Sequence, residues 1–338
     1  MQTAVSCQKT PINTNFPGNS YVTPCKAGPA LRPITAMTAL QNNDQLRVLC
    51  VGAILWDVIG RTDRHMRVGS DVPGRILRIP GGVAMNIAMT FTRFSLTPVL
   101  LGAIGRDEAG EELMRAAGSM GMVTQHLYRS EDLPTDVYMA IEGANGLIAA
   151  IADAHSLEAA GAKILRPMKD GTFGSANAPF EGTIALDGNL TLALLEEISH
   201  SPLFSKADLR IAPASPGKAE RLLPLMNHPS ATFYVNLEEA GLLLKKDFEN
   251  ASDAARALTD RGAARAMVSD GARPAGFSAN GEVISQAPPE VMVTRVTGAG
   301  DTFMAAHIAA ELRGDAPDNA LASALKAAAN YVSGNSPQ

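Results

Sequence analysis

Cysteine is scarce in this 338-residue chain. Cys7, Cys25 and Cys50 are too few and too irregularly spaced for a disulfide framework or a CxxC metal site. That scarcity suits a reduced, cytoplasmic setting. No uninterrupted apolar run approaches the roughly 20 residues a membrane span needs, so no membrane partner is expected. The histidines (65, 126, 155, 200, 228 and 307) include no i,i+4 metal-binding pair; His307 reads as a packing residue and His155 as an exposed one. A GxxxxGK[ST] loop is absent, which excludes a P-loop enzyme, and no complete GxGxxG follows an early strand, which argues against a dinucleotide oxidoreductase. What is present is ordinary globular composition, 46% hydrophobic and 19% charged. The net charge of −5 argues against broad nucleic-acid binding.

Acidic residues are missing from the first 43 positions, where Lys9, Lys26 and Arg32 give +3 and leave −8 on the remaining 295 residues. Residues 1–45 are rich in Pro, Thr, Asn and Gln without sustained periodicity, and read as a disordered or loosely docked extension. They lack the apolar core of a secretory signal and are poor in Arg for an organelle-targeting peptide. Residues 46–338 read as one large α/β domain with a small appendage.

Within that body, short apolar runs alternate with helical stretches. Arg47–Ile54, Pro98–Gly102, Thr183–Leu186, Asp208–Ile211, Thr232–Val235 and Ala266–Ser269 read as buried parallel strands. Gly81-Gly82 opens one helix and Asp107–Ala117 forms another. The pattern implies a mostly parallel central sheet covered on both faces. Two stretches, about 58–80 and 135–153, break the rhythm. The second reads as a hairpin turning at Asn145-Gly146, the pair expected to supply positive φ. Together they predict a small separate sheet, a lid; an ordinary surface hairpin is the plainer reading.

The most informative segment is Val293-Thr-Arg-Val-Thr-Gly298-Ala299-Gly300-Asp301, followed by an Ala-rich helix. Glycines at a helix entrance let a ligand approach the backbone, and the free N–H groups of the first turn make an anion site. A carboxylate there opposes anion binding but suits a base that accepts a proton from an attacking hydroxyl. Asp301 as a simple helix cap is the alternative.

These residues resemble the ribokinase-like carbohydrate kinase family. Gly298-Ala-Gly-Asp301 is similar to its C-terminal signature and Gly81-Gly82-x-x-x-Asn86 to its N-terminal one. Gly52-x-x-x-x-Asp57 and Gly105-x-Asp107-x-x-Gly110 match two further family motifs, so the resemblance spans about 47–335. Within the family, Asp71–Gly82, the hairpin Pro134–Asp153, Pro213–Lys218 and Val296-Thr297 most resemble pseudouridine kinases. The resemblance implies a three-layer ribokinase-like fold with a β-sheet lid. It also implies phosphoryl transfer from ATP with Mg²⁺ to a nucleoside or sugar, and a homodimer formed through the lid.

Carried over residue by residue, Asp301 becomes the base, with the Gly298–Ala299–Gly300 amides as anion hole. Asp57, Gly81, Gly82 and Asn86 hold the ribose, and Thr135 and Asp153 face the substrate base. Asn236 and Glu239 organise Mg²⁺, while Asn236, Ser269, Gly271, Asn330 and Lys218 surround the nucleotide. The plainer readings are a strand end for Asp57, a satisfied helix residue for Asn86, and solvated side chains for Glu239 and Lys218. Leu55 and Ala212 depart from the family pattern. Arg295 stands where ribokinases have the Asp of a potassium loop, so no monovalent-cation site is expected on that carboxylate. Trp56 beside Asp57 resembles some fructokinase-like members, so a sugar or ribonucleoside substrate of the ribose, fructose or uridine type stays open, and a non-catalytic nucleotide-binding regulator is the alternative of a different class.

Overall fold

The computed structural model describes residues 47–334; the expected extension, 1–45, with Cys7 and Cys25, lies outside them. Strands of five to seven residues pair in an eight-stranded sheet. From one edge the order is Glu282–Gln286, Arg273–Ala279, Arg265–Asp270, Thr232–Asn236, Asp208–Ala212, Thr183–Asp187, Arg47–Val51 and Thr97–Leu101. The last six of these are mutually parallel, and only the edge hairpin 273–286 introduces antiparallel pairing.

Alternation along each strand explains the three layers. Leu49, Val51, Ile184, Leu186, Leu209, Ile211, Phe233 and Val268 feed one core beneath the sheet. Their neighbours Val48, Cys50, Ala185, Tyr234 and Met267 feed a second core, under the helices Val83–Arg93, Ala299–Leu312 and Pro317–Val332. Burial of each Val, Leu or Ile contributes about 1.5–3 kcal/mol. Cys50 is a buried free thiol whose ionisation is opposed by desolvation, so it serves as a core residue.

Connectivity fixes where a ligand can enter. From Arg47–Val51 the chain moves outward to Thr97–Leu101, then returns to the other side of the first strand and proceeds through 183–187, 208–212, 232–236 and 265–270. The crevice at the carboxyl ends of the strands flanking that reversal is the place such sheets use for ligands.

Above that crevice sits a four-stranded sheet in the order Arg75–Gly81, Leu55–Arg61, Val137–Gly143, Gly146–Asp153. The expected lid therefore exists, beginning at Leu55 rather than near 58. The predicted strand Arg47–Ile54 ends at Val51, because Ala53 N–H leaves the ladder to donate to the Asp187 carboxylate.

One turn expectation needs correcting. At the lid hairpin only Gly146 has positive φ (89°); Asn145 does not. Both φ values are positive at Asn280 (52°) and Gly281 (81°), the two-residue loop between Arg273–Ala279 and Glu282–Gln286. That Asn-Gly pair closes the tight hairpin that sequence reading missed.

At the opposite end of the sheet, Arg210 is held by Asp208 and Glu311, and Arg265 binds the same two carboxylates. Tyr234 Oη contacts Arg210 at 2.9 Å and His307 Nδ1 at 2.8 Å. This network ties the C-terminal turn of Ala299–Leu312 to the sheet and leaves that helix's N-terminus pointing at the crevice. His307 is thus a packing residue, as its sequence context suggested.

Candidate active site

The site is assembled from strand ends and two helix entrances. The helix Val83–Arg93 begins at Gly82 (φ 92°), and the helix Ala299–Leu312 begins at Gly298 (φ 87°). At Gly81 an added Cβ would lie 2.1 Å from Asp57 Oδ2, so only glycine lets that carboxylate lie over the backbone. At Gly298 an added Cβ would lie 2.6 Å from Tyr331 Oη, whose hydroxyl donates to Thr297 O at 2.8 Å. Ala299 N–H is committed to Val296 O, which leaves the first-turn N–H groups of Gly300 and Asp301 without helical acceptors. A Cβ on Gly300 would meet nothing within 4 Å, so this turn faces open space.

The two helix entrances meet through one contact: Asn86 Nδ2 donates to Asp301 Oδ2 at 2.9 Å. Burial raises the Asp301 carboxyl to about 7, with Asp187, Asp57 and Glu239 adding repulsion and the Asn86 bond acting against it. Burial also raises Asp57 to about 6 and Glu239 to about 7. Neither plainer reading of Asp57 and Asn86 describes them fully, because both face the same crevice as Asp301.

Asp187 completes the cluster, and sequence reading missed it. Fully buried, it accepts from Ala53 N (2.7 Å), Ala84 N (3.3 Å) and Asn189 N (2.5 Å). One carboxylate thus joins the first strand's exit to the start of the Val83–Arg93 helix. Its signal was an acid ending a buried strand run at the carboxyl edge of the sheet. Lys218 Nζ donates to Asn189 Oδ1 at 2.5 Å, which places it in this cluster rather than free on the surface.

Asn236 and Glu239 form a capping box on the helix Leu237–Leu244: Glu239 N donates to Asn236 Oδ1 and Asn236 N to Glu239 Oε2, both at 2.8 Å. Glu239 is buried rather than solvated. Among the described residues no group of three or more His, Cys, Asp or Glu is placed to hold a metal unaided. A buried carboxylate beside an Asn amide fits a magnesium ion that keeps its waters and takes its other ligands from phosphates. Ser269 lies opposite Asn236 in the sheet, and Gly271 (φ 57°) turns the chain away just beyond it.

Thr135 and Asp153 sit elsewhere than expected. Thr135 is buried against Asp107: its Oγ1 donates to Asp107 Oδ1 (2.5 Å) and accepts from Gly105 N (3.1 Å), so it anchors the lid rather than facing substrate. The Gly105–Gly110 motif is accordingly structural, with Asp107 capping the helix Glu108–Ser119. Asp153 pairs with Val137 and Val137 with Trp56, which puts it on the lid face opposite Asp57, where it binds His155 at 2.6 Å. Trp56 shares that opposite face; its indole donates to Ala109 O and stacks under Arg78, so it marks no sugar preference. Asn330 lines a cleft between three helices together with Thr90 and Thr302. Arg295 donates through Nε to Tyr331 O (2.8 Å) and stacks on the Tyr331 ring.

A doubly wound sheet, a lid above its switch point, and a carboxylate at a glycine-rich helix entrance make up the candidate site. Residues 45–338 match the pfkB family of carbohydrate kinases, and the chain belongs to that family. It is 26% identical over 179 residues to pseudouridine kinase of Arabidopsis thaliana, covering 53% of this chain and 45% of that protein. It is 25% identical over 263 residues to pseudouridine kinase of Escherichia coli strain K12, covering 76% and 81%. The chain thus spans under half the length of the first of these relatives. Its fold is shared with the Arabidopsis thaliana ribokinase solved with ribose and ATP (TM-score 0.66, 19% identity, 85% of this chain and 92% of that one). Among the described residues no helix is long and apolar enough to cross a membrane.

Proposed function

We propose that the protein transfers the γ-phosphoryl group of ATP to the 5′-hydroxyl of pseudouridine. The observation that carries the chemistry is the Asn86–Asp301 contact at the open entrance of the Ala299–Leu312 helix. Asp301 Oδ accepts the hydroxyl proton while the alkoxide oxygen attacks the γ-phosphorus in line and the bond to the β-phosphate oxygen breaks, releasing ADP. Asn86 orients the carboxylate, and the Gly300 and Asp301 N–H groups face the transferring oxygens. Asp57 accepts from the ribose hydroxyls over Gly81, where the backbone leaves room. Asn236 and Glu239 would hold magnesium and its waters, which when bound neutralises phosphate charge. The choice of pseudouridine rests on the two relatives that carry that name. A turnover panel of pseudouridine, uridine, ribose and fructose tests it, with pseudouridine expected to have the highest kcat/KM. Equal or better turnover of a free sugar overturns the substrate assignment, and nucleotide binding without transfer to any acceptor favours a regulator.

We further propose a cytoplasmic homodimer joined through the lid. Ile76, Met139, Ile141 and Ile151 lie exposed on the lid face away from Asp57, a patch that a second lid would cover. Light scattering is expected to give twice the chain mass, and a monomer at micromolar concentration removes the proposal.

A further inference from the structure

A cleft of about 300 Å³ lies between the helices Val83–Arg93, Ala299–Leu312 and Pro317–Val332. Its lining includes Thr90, one turn beyond Asn86, and Thr302, next to Asp301. Arg93, Arg313 and Lys326 line it as exposed cations, and Ser323 and Asn330 add a hydroxyl and an amide. No carboxylate lines it among the described residues, and only Arg313 has an acidic neighbour, Asp315 at 3.3 Å. Arg93 and Lys326 form no ion pair among the described residues. Three cations thus line one cleft in a body whose net charge is −8, a local excess of positive charge that suits an anion. The larger cavity near the lid base differs, because there Arg106 and Arg166 already face Glu131 and Asp170.

We propose that this cleft binds a small organic phosphate, at a place separate from the helix entrance where the transferring phosphoryl group sits. A phosphate dianion presents three acceptor oxygens to the guanidinium and ammonium donors. Phe94 and Ala327 give an apolar wall for a short carbon skeleton, and the volume is at the small end of ligand sites. Apart from Asn330, no lining residue belongs to the set read as surrounding the nucleotide, and Asn236 and Ser269 lie at the sheet edge outside the cleft.

Isothermal titration of the full chain with glycerol phosphate, inorganic phosphate and glycerol tests the proposal. Glycerol phosphate is expected to bind more tightly than inorganic phosphate, and glycerol not at all. The Arg93→Glu/Lys326→Glu variant is expected to weaken glycerol phosphate binding at least about tenfold. Any contribution from the helix entrance is common to both proteins and drops out of that comparison. Should the double reversal fail to fold, Arg93→Gln and Lys326→Gln separately carry the same expectation. Equal affinity in wild type and variants, inorganic phosphate binding as tightly as glycerol phosphate, or no heat with either phosphate overturns the proposal. The measurement reads binding rather than turnover, so its failure leaves the kinase reading standing, and an inactive enzyme leaves its result intact.

Discussion

Asp301 is held between two opposed influences. Burial and three neighbouring acids bring its carboxyl to about 7, while Asn86 favours the charged form. A base titrating there is matched to chemistry near neutral pH, so turnover is expected to rise with pH through about 7 and then level. Asp301→Asn is expected to lower kcat by about 10²–10⁴-fold while leaving ATP affinity nearly unchanged. The same substitution removes a repelled, partly buried charge, so the free protein should gain about 1–2 kcal/mol at mildly alkaline pH. Steady-state kinetics and denaturant titration check the two halves. Near-normal kcat, or a loss of stability, contradicts this account of the residue.

Among the elements, the lid depends on one junction. Asp107 caps the helix Glu108–Ser119 through Gly110 N (2.8 Å) and takes both Thr135 N (2.8 Å) and Thr135 Oγ1 (2.5 Å). These bonds hold its pKa below the ordinary carboxylate value against the opposing effect of burial. Asp107→Ala is expected to cost about 2–3 kcal/mol, from a lost cap and two charge-assisted hydrogen bonds. Because the released strand carries the lid rather than the nucleotide edge, KM for the acceptor should rise several-fold while KM for ATP stays. Equal changes in both constants would show that the junction supports the whole fold instead.

Across the molecule, the crevice concentrates negative charge that the free protein must tolerate. Asp301, Glu239 and Asp57 have raised folded pKa values and so retain protons that the unfolded chain has already released. Their contribution is fully present below the ordinary carboxylate range and is lost as pH rises through about 6 to 7. His307 acts oppositely. Lowered to about 4 by burial, it contributes stability above its ordinary value and loses it as pH falls. The raised carboxyls, to which burial adds Asp187 and Asp136, outnumber the lowered His307 and His228, so Tm of the free protein is expected to fall from about pH 5 to about pH 8. Magnesium held at Asn236 and Glu239 should flatten that slope by supplying positive charge to the crevice. A rising Tm over that range in the free protein contradicts the charge account.

The sequence by itself determined the sheet, the helix entrances and the lid, because each rests on local rules: apolar runs, glycine at a helix start, strands without intervening helices. It also placed Asp57, Asn86 and Asp301, whose motifs combine a conformational need with a chemical one. Only the tertiary structure decided which residues of those motifs face one another. Asp153 sits in a hairpin that the sequence located, yet the pleat turned it away from Asp57, while Thr135, two residues before the first strand of that hairpin, is held by Asp107. Asp187 and the cationic cleft are assembled from segments far apart in the chain, which no local pattern records. Side-chain direction and long-range proximity come from strand register and helix packing, and these exist only once the layers have closed.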